Sequence, residues 1–194
     1  MVAVGLLAAC ATPPQSAVNR YVSPVGVPVA KLAMRASLSG GVDAYGVYVF
    51  NDGENCKGPQ VAGAGRPAGN APASVNLAAG KWATLQFVTL HPGGQYCAIR
   101  WSFQPSAGRT YLLTGDAVGT TCRAGLLDAT DPDSIKPVAS AVRRDAPNSP
   151  CMPLAVAQAA RNAKRDSGQP GAGKDEANLR PGASADDLKG LIPQ

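Results

Sequence analysis

The residues in this chain best suited to chemistry are its single histidine, His91, and three aspartates in one short stretch, Asp128, Asp131 and Asp133. A histidine beside a serine and an aspartate is the arrangement of a hydrolase general base. No G-x-S-x-G elbow accompanies His91, and it precedes Pro92-Gly93-Gly94, where a solvated turn residue is the ordinary case. The three carboxylates would offer hard oxygen ligands to Ca²⁺, but no bidentate Glu follows them, and Asp131-Pro132 is equally a turn starter. Gly168-Gln169-Pro170-Gly171-Ala172-Gly173-Lys174-Asp175 nearly spells a phosphate-binding loop. It has Asp where a Ser or Thr hydroxyl would hold Mg²⁺, and that carboxylate would repel phosphate. Gly63-Ala64-Gly65 lacks the further glycine of a dinucleotide-binding turn. The sequence therefore assigns no catalytic residue, no cofactor and no metal, and Asp128, Asp131 and Asp133 are the nearest approach to a metal site.

The elements that would position these groups are strands. Cys97, Ile99, Trp101 and Phe103 alternate with Ala98, Arg100, Ser102 and Gln104, the period of two of a half-buried strand. Runs over 45–51, 82–90, 109–118 and 120–127 read the same way, separated by signals such as Asn51-Asp52-Gly53 and Pro105-Ser106-Ala107-Gly108. Residues 31–39 and 135–143 are expected at sheet edges, and 61–73, with three glycines and two prolines, as a long exposed loop. Short connections make 95–127 an antiparallel meander. The reading is an all-β protein over 29–152, an antiparallel β-sandwich of about six or seven strands, immunoglobulin-like or transthyretin-like. A short helix is expected over 153–166, starting with Pro in its first turn, and a disordered tail over 167–194. Trp82, Trp101 and the tyrosines at 45, 48, 96 and 111 are expected as core and rim aromatics, and two of them exposed on one face would mark a glycan or peptide surface.

Composition narrows the class further. Leu, Ile, Val and Phe make up about a fifth of the 194 residues, which is thin for a globular core. Charged residues are 16% at a net +5, too little repulsion for a wholly disordered chain. No basic run exceeds Arg143-Arg144, so the positive balance is a solvated surface and no nucleic-acid partner is expected. Val2 to Ala9 is an uncharged apolar stretch too short to span a bilayer, which needs about 20 residues.

That stretch ends in Leu7-Ala8-Ala9-Cys10, which resembles the lipobox of bacterial lipoproteins. The resemblance implies cleavage before Cys10 by signal peptidase II and acylation of its thiol and new amine. Residues 1–9 would then be a signal segment, with no Lys or Arg before Val2, and 10–28 the lipidated Cys10 with a proline-bearing extended tether. Ala11 in place of Asp points to the outer membrane, facing the periplasm.

Assigning Cys10 to lipid leaves Cys56, Cys97, Cys122 and Cys151, an even number in a compartment that permits disulfides. No C-x-x-C occurs, and one histidine gives zinc a poor ligand supply. If Cys97 and Cys122 open the first and third strands of one meander, they lie about 9.5 Å apart, beyond the ~7 Å limit for a bridge. Of the two pairings left, the more local is preferred: Cys56 with Cys97 and Cys122 with Cys151. The functional expectation is an envelope-anchored lipoprotein, a non-enzymatic binding or structural module whose partners are the membrane, through its lipid, and an envelope protein or glycan. The alternative is a periplasm-facing hydrolase or metal-assisted enzyme using His91 and the Asp128–Asp133 loop. A third reading is a soluble secreted module whose Cys10 carries no lipid.

Overall fold

A computed structural model describes residues 19–119, 121–145 and 151–166. The expected signal segment, Cys10, the first part of the expected tether, the phosphate-loop-like run and the expected tail lie outside these residues. Among the described residues ten strands follow one another: β1 (Val29–Ser39), β2 (Ala44–Asp52), β3 (Lys57–Gly65), β4 (Val75–Ala78), β5 (Ala83–Leu90), β6 (Tyr96–Phe103), β7 (Thr110–Val118), β8 (Thr121–Asp128), β9 (Lys136–Pro137) and β10 (Val142–Arg143). The helix α1 (Leu154–Asp166) closes the described chain, as the proline-led run implied. The strands form two five-stranded sheets, ordered β4-β1-β7-β8-β9 and β10-β6-β5-β2-β3. The expected β-sandwich is what forms, and the strands beyond seven are pieces of two to four residues.

Between the sheets, the long strands contribute alternate residues to one core. Leu32 and Met34 of β1 and Leu113 of β7 meet Val47 of β2, Leu85 and Phe87 of β5, and Ile99, Trp101 and Phe103 of β6. Phe103 and Tyr111 pack edge to face across the two sheets, ring centroids 4.9 Å apart. A Cβ on Gly115 of β7 would overlap the Phe87 ring, so the missing side chain lets the aromatic reach the facing sheet. A satellite cluster of Ala33, Leu112, Leu127 and Ala129 lies on the outer face of the first sheet, with Ile135 packed on it.

The connectivity departs from the meander. β7 and β8 form a hairpin in register from Tyr111–Asp128 to Val118–Thr121, but β6 belongs to the other sheet and pairs with β5. Pro105-Ser106-Ala107-Gly108 is thus a crossing between sheets and not a hairpin turn, because the buried faces of both strands must meet in one core. β1 is not an edge strand. It sits between β4 and β7 and runs parallel to β7 over nine residue pairs. Residues 61–65 are not loop: β3 carries them, with a bulge opposite Val47 and Tyr48, and Pro59 stands where an edge strand tolerates a missing donor.

Both open sides of the sandwich are closed. On one, residues 19–23 run across the edge strands β3 and β4. Tyr21 N donates to Val61 O and Val61 N to Asn19 O, while Asn76 N donates to Ser23 Oγ and the Tyr21 hydroxyl to Asn76 O. Residues 19–23 of the stretch expected as an extended tether are therefore docked on the body. On the other side, β9 and β10 are two residues each, and α1 packs by β10, burying Ala157. These devices hide the backbone groups that a bare edge would offer to another chain.

The expected disulfide pairing is overturned. Cys97 bridges Cys122, and Cys56 bridges Cys151, with Cα separations of 6.1 and 6.3 Å. β6 and β8 face each other across the sandwich instead of lying two places apart in one sheet. Trp101 Nε1 of β6 donates to Ala124 O of β8 at 3.0 Å, showing how close the two strands approach.

Candidate functional site

The most unusual chemistry in the molecule is a buried guanidinium. Arg144, directly after β10, is fully shielded from solvent. Its backbone continues the β6 edge, Arg144 N donating to Arg100 O at 3.0 Å. Its side chain turns over the outer face of the β6-β5-β2 sheet, where Thr84 and Ser102 are also fully buried. All five N–H groups find acceptors. Nε donates to Met152 O at 2.6 Å, Nη1 to Ser102 Oγ at 2.7 Å and Gly53 O at 3.2 Å, and Nη2 to Glu54 O at 2.6 Å and Cys151 Sγ at 3.4 Å. Thr84 Oγ1 shares the cluster, donating to Gly53 O and lying 2.6 Å from Ser102 Oγ. Gly53 is required there, since a Cβ would come within 2.5 Å of Trp82 O.

None of these acceptors is a carboxylate. Burial pushes the Arg144 pKa down, and the Glu54 carboxylate, acting through space, pulls partly the other way. The cluster ties the β2–β3 turn, β5, β6 and the arm leading to α1 into one unit, with the Cys56–Cys151 bridge at its rim. Beside it, Asp145 accepts from Arg100 N at 2.8 Å and Arg143 Nε at 2.7 Å, and the Arg143 guanidinium stands 5.7 Å over the Trp101 ring.

The residues singled out in the sequence do not converge. His91 is buried, not a solvated turn residue: it extends the inward alternation of Phe87 and Thr89, and its Nε2 lies 3.0 Å from the buried Thr89 hydroxyl. Asp128 is consumed locally. Its Oδ1 accepts from Thr130 N and Oγ1, and its Oδ2 from Arg109 Nη1 at 2.5 Å. Burial raises the Asp128 pKa, but the bonds from Thr130 and Arg109 outweigh it and hold the carboxyl below its ordinary value. Asp131 Oδ1 accepts from Asp133 N, a local turn contact. Among the described residues no group of three His, Cys, Asp or Glu side chains could hold a metal.

His91 and the aspartates also lie at opposite ends of the sandwich. Thr89 pairs with Cys97, which bridges Cys122, and Asp128 is six residues further along β8, about 20 Å at 3.4 Å per residue.

Tyr45, Tyr111 and Trp101 are core; Tyr96 is 70% exposed, and Tyr48 and Trp82 are half-buried. Tyr48 and Tyr96 share the outer face of one sheet, but two strands and four residues separate them, roughly 16 Å, so they form no common stacking platform. A shallow depression of ≈ 580 Å³ between Pro28, Gly80, Gln104, Pro105, Ser106 and Ser140 holds no titratable side chain. No described helix is long and apolar enough to cross a membrane.

Compared with protein-family models, with curated proteins and with solved structures, the chain has no match in any of the three. The Arg144 cluster was missed from sequence, where Arg143-Arg144 reads as a surface pair. The one available signal is alternation: Val142 and Arg144 continue a buried period of two.

Proposed function

We propose that the chain is an envelope-anchored lipoprotein, held by acylated Cys10 at the outer membrane and facing the periplasm, and that it works as a non-enzymatic binding or structural module. The observation that carries this reading is cysteine parity. Four of the five cysteines pair with one another, so the thiol without a bridge partner among them is Cys10, the one that follows an apolar stretch and two alanines. Disulfides form and persist in oxidising compartments, which fits an exported chain.

Geometry adds the spacing. Asn19 is paired with the body and lies nine residues after Cys10, at most about 30 Å of extended chain. A lipid at Cys10 would hold the sandwich close over the bilayer. With both edges covered, contact with an envelope protein or glycan falls to loops and to the open half of the β6-β5-β2 outer face, where Leu90 and Tyr96 are exposed as a cross-strand pair. The distance between His91 and Asp128 leaves the hydrolytic alternative without a joint site.

Membrane fractionation of the Cys10→Ala chain tests the reading. Release of this variant from a membrane-bound parent is expected; retention equal to the parent's would contradict the anchor.

A further inference from the structure

The two disulfides sit in different electrostatic surroundings. Cys97–Cys122 links strands that face each other across the core. Cys56–Cys151 has a fully buried guanidinium aimed at it, with Arg144 Nη2 donating to Cys151 Sγ at 3.4 Å. Among the described residues that cation has neutral hydrogen-bond acceptors only, with the Glu54 carboxylate acting through space, so its charge favours an anion at Cys151 Sγ, the one hydrogen-bonded acceptor able to become one. A thiol that is a better anion is also a better leaving group in disulfide exchange.

We propose that Cys56–Cys151 is a thiol–disulfide exchange site for a dithiol reductant, with Cys151 as the leaving sulfur. One thiolate of the dithiol attacks Cys56 Sγ and forms a mixed disulfide. The Cys56–Cys151 bond breaks, and Cys151 departs with the electron pair as a thiolate held by Arg144. The second thiol of the dithiol loses its proton to solvent and attacks its own partner's sulfur. Cys56 then leaves with its pair and takes a proton from water. The dithiol ends as a disulfide, and the protein has gained two electrons.

The site is built to survive opening. Met152 N donates to Arg144 O at 2.7 Å and Arg144 Nε to Met152 O at 2.6 Å, so the residue after Cys151 stays on Arg144 without the bridge. The same guanidinium holds the carbonyls of Gly53 and Glu54, in the turn that carries Cys56. Both half-cystines are thus kept in place for reclosure, whereas Cys97–Cys122 serves only to join the sheets. The other charges of this neighbourhood are Glu54, Asp52 and Lys57 from the turn and Asp145 from the arm, the last engaged by Arg100 and Arg143. The proposal does not depend on lipidation of Cys10.

The full oxidised chain, titrated with dithiothreitol, alkylated and peptide-mapped, tests it. Cys56–Cys151 is expected to open first, and in the reduced chain the Cys151 thiol is expected to titrate below the ~8.5 of a free thiol. In Arg144→Met its opening should slow by roughly threefold to tenfold. A variant that is merely less stable would open both bridges faster, so Cys97–Cys122 is the internal control. Opening of Cys97–Cys122 first, both bridges together, or a Cys151 thiol titrating at or above 8.5 would each overturn the proposal, and the order of opening and the thiol titration need no variant.

Discussion

Arg144 enters the interior with its charge because five acceptors meet its five N–H groups. Removing the guanidinium strands several of them, at about 1–3 kcal/mol for each buried group left unpaired. Relief from burying a charge offsets part of that, so Arg144→Met should cost about 3 kcal/mol in urea unfolding. Asp128 gives a pH signature. Its folded pKa lies below that of the unfolded chain, so its contribution to stability is complete above about pH 5 and fades as the pH falls through the folded pKa. Asp128→Asn should be less stable than the parent at pH 7 and show a flatter loss below about pH 4, read by thermal melts at graded pH. These roles were hard to see in the sequence. His91 was masked by Pro92-Gly93-Gly94, although the alternation Phe87, Thr89, His91 carries the buried face through to it, and nothing about Asp128-Ala129-Thr130 separates a self-satisfied turn from a ligand loop.

At the scale of elements, period-two alternation located β2, β5, β6, β7 and β8, because each buries one face against the opposite sheet. What alternation does not carry is the sheet to which each strand belongs. The Pro105–Gly108 segment is as short as a hairpin turn yet carries the chain from one sheet to the other, and the error passed into the cysteine pairing. β3 was hidden by its glycines, which are needed for packing: a Cβ on Gly65 would meet the Tyr45 ring, and one on Gly63 the Pro72 ring. Gly115→Ala should press on Phe87 and destabilise the sandwich by about 1–3 kcal/mol, measured by chemical denaturation. Replacing Cys97 and Cys122 together by Ser, with their loop of 25 residues, should cost about 3.5 kcal/mol on the chain-entropy model, against about 4.7 for the loop of 95 closed by Cys56–Cys151.

At the scale of the molecule, a core short of large aliphatic residues is joined by two bridges, one between the sheets and one from a turn to the C-terminal arm. The bridging of four cysteines and the proposed acylation of the fifth would both fit an exported chain. The intact mass of the protein from the membrane fraction, taken without reductant, reads both at once. The account predicts a chain beginning at Cys10 that carries acyl mass and is four hydrogens lighter than its fully reduced form. A chain without acyl mass and with all its thiols free would contradict it.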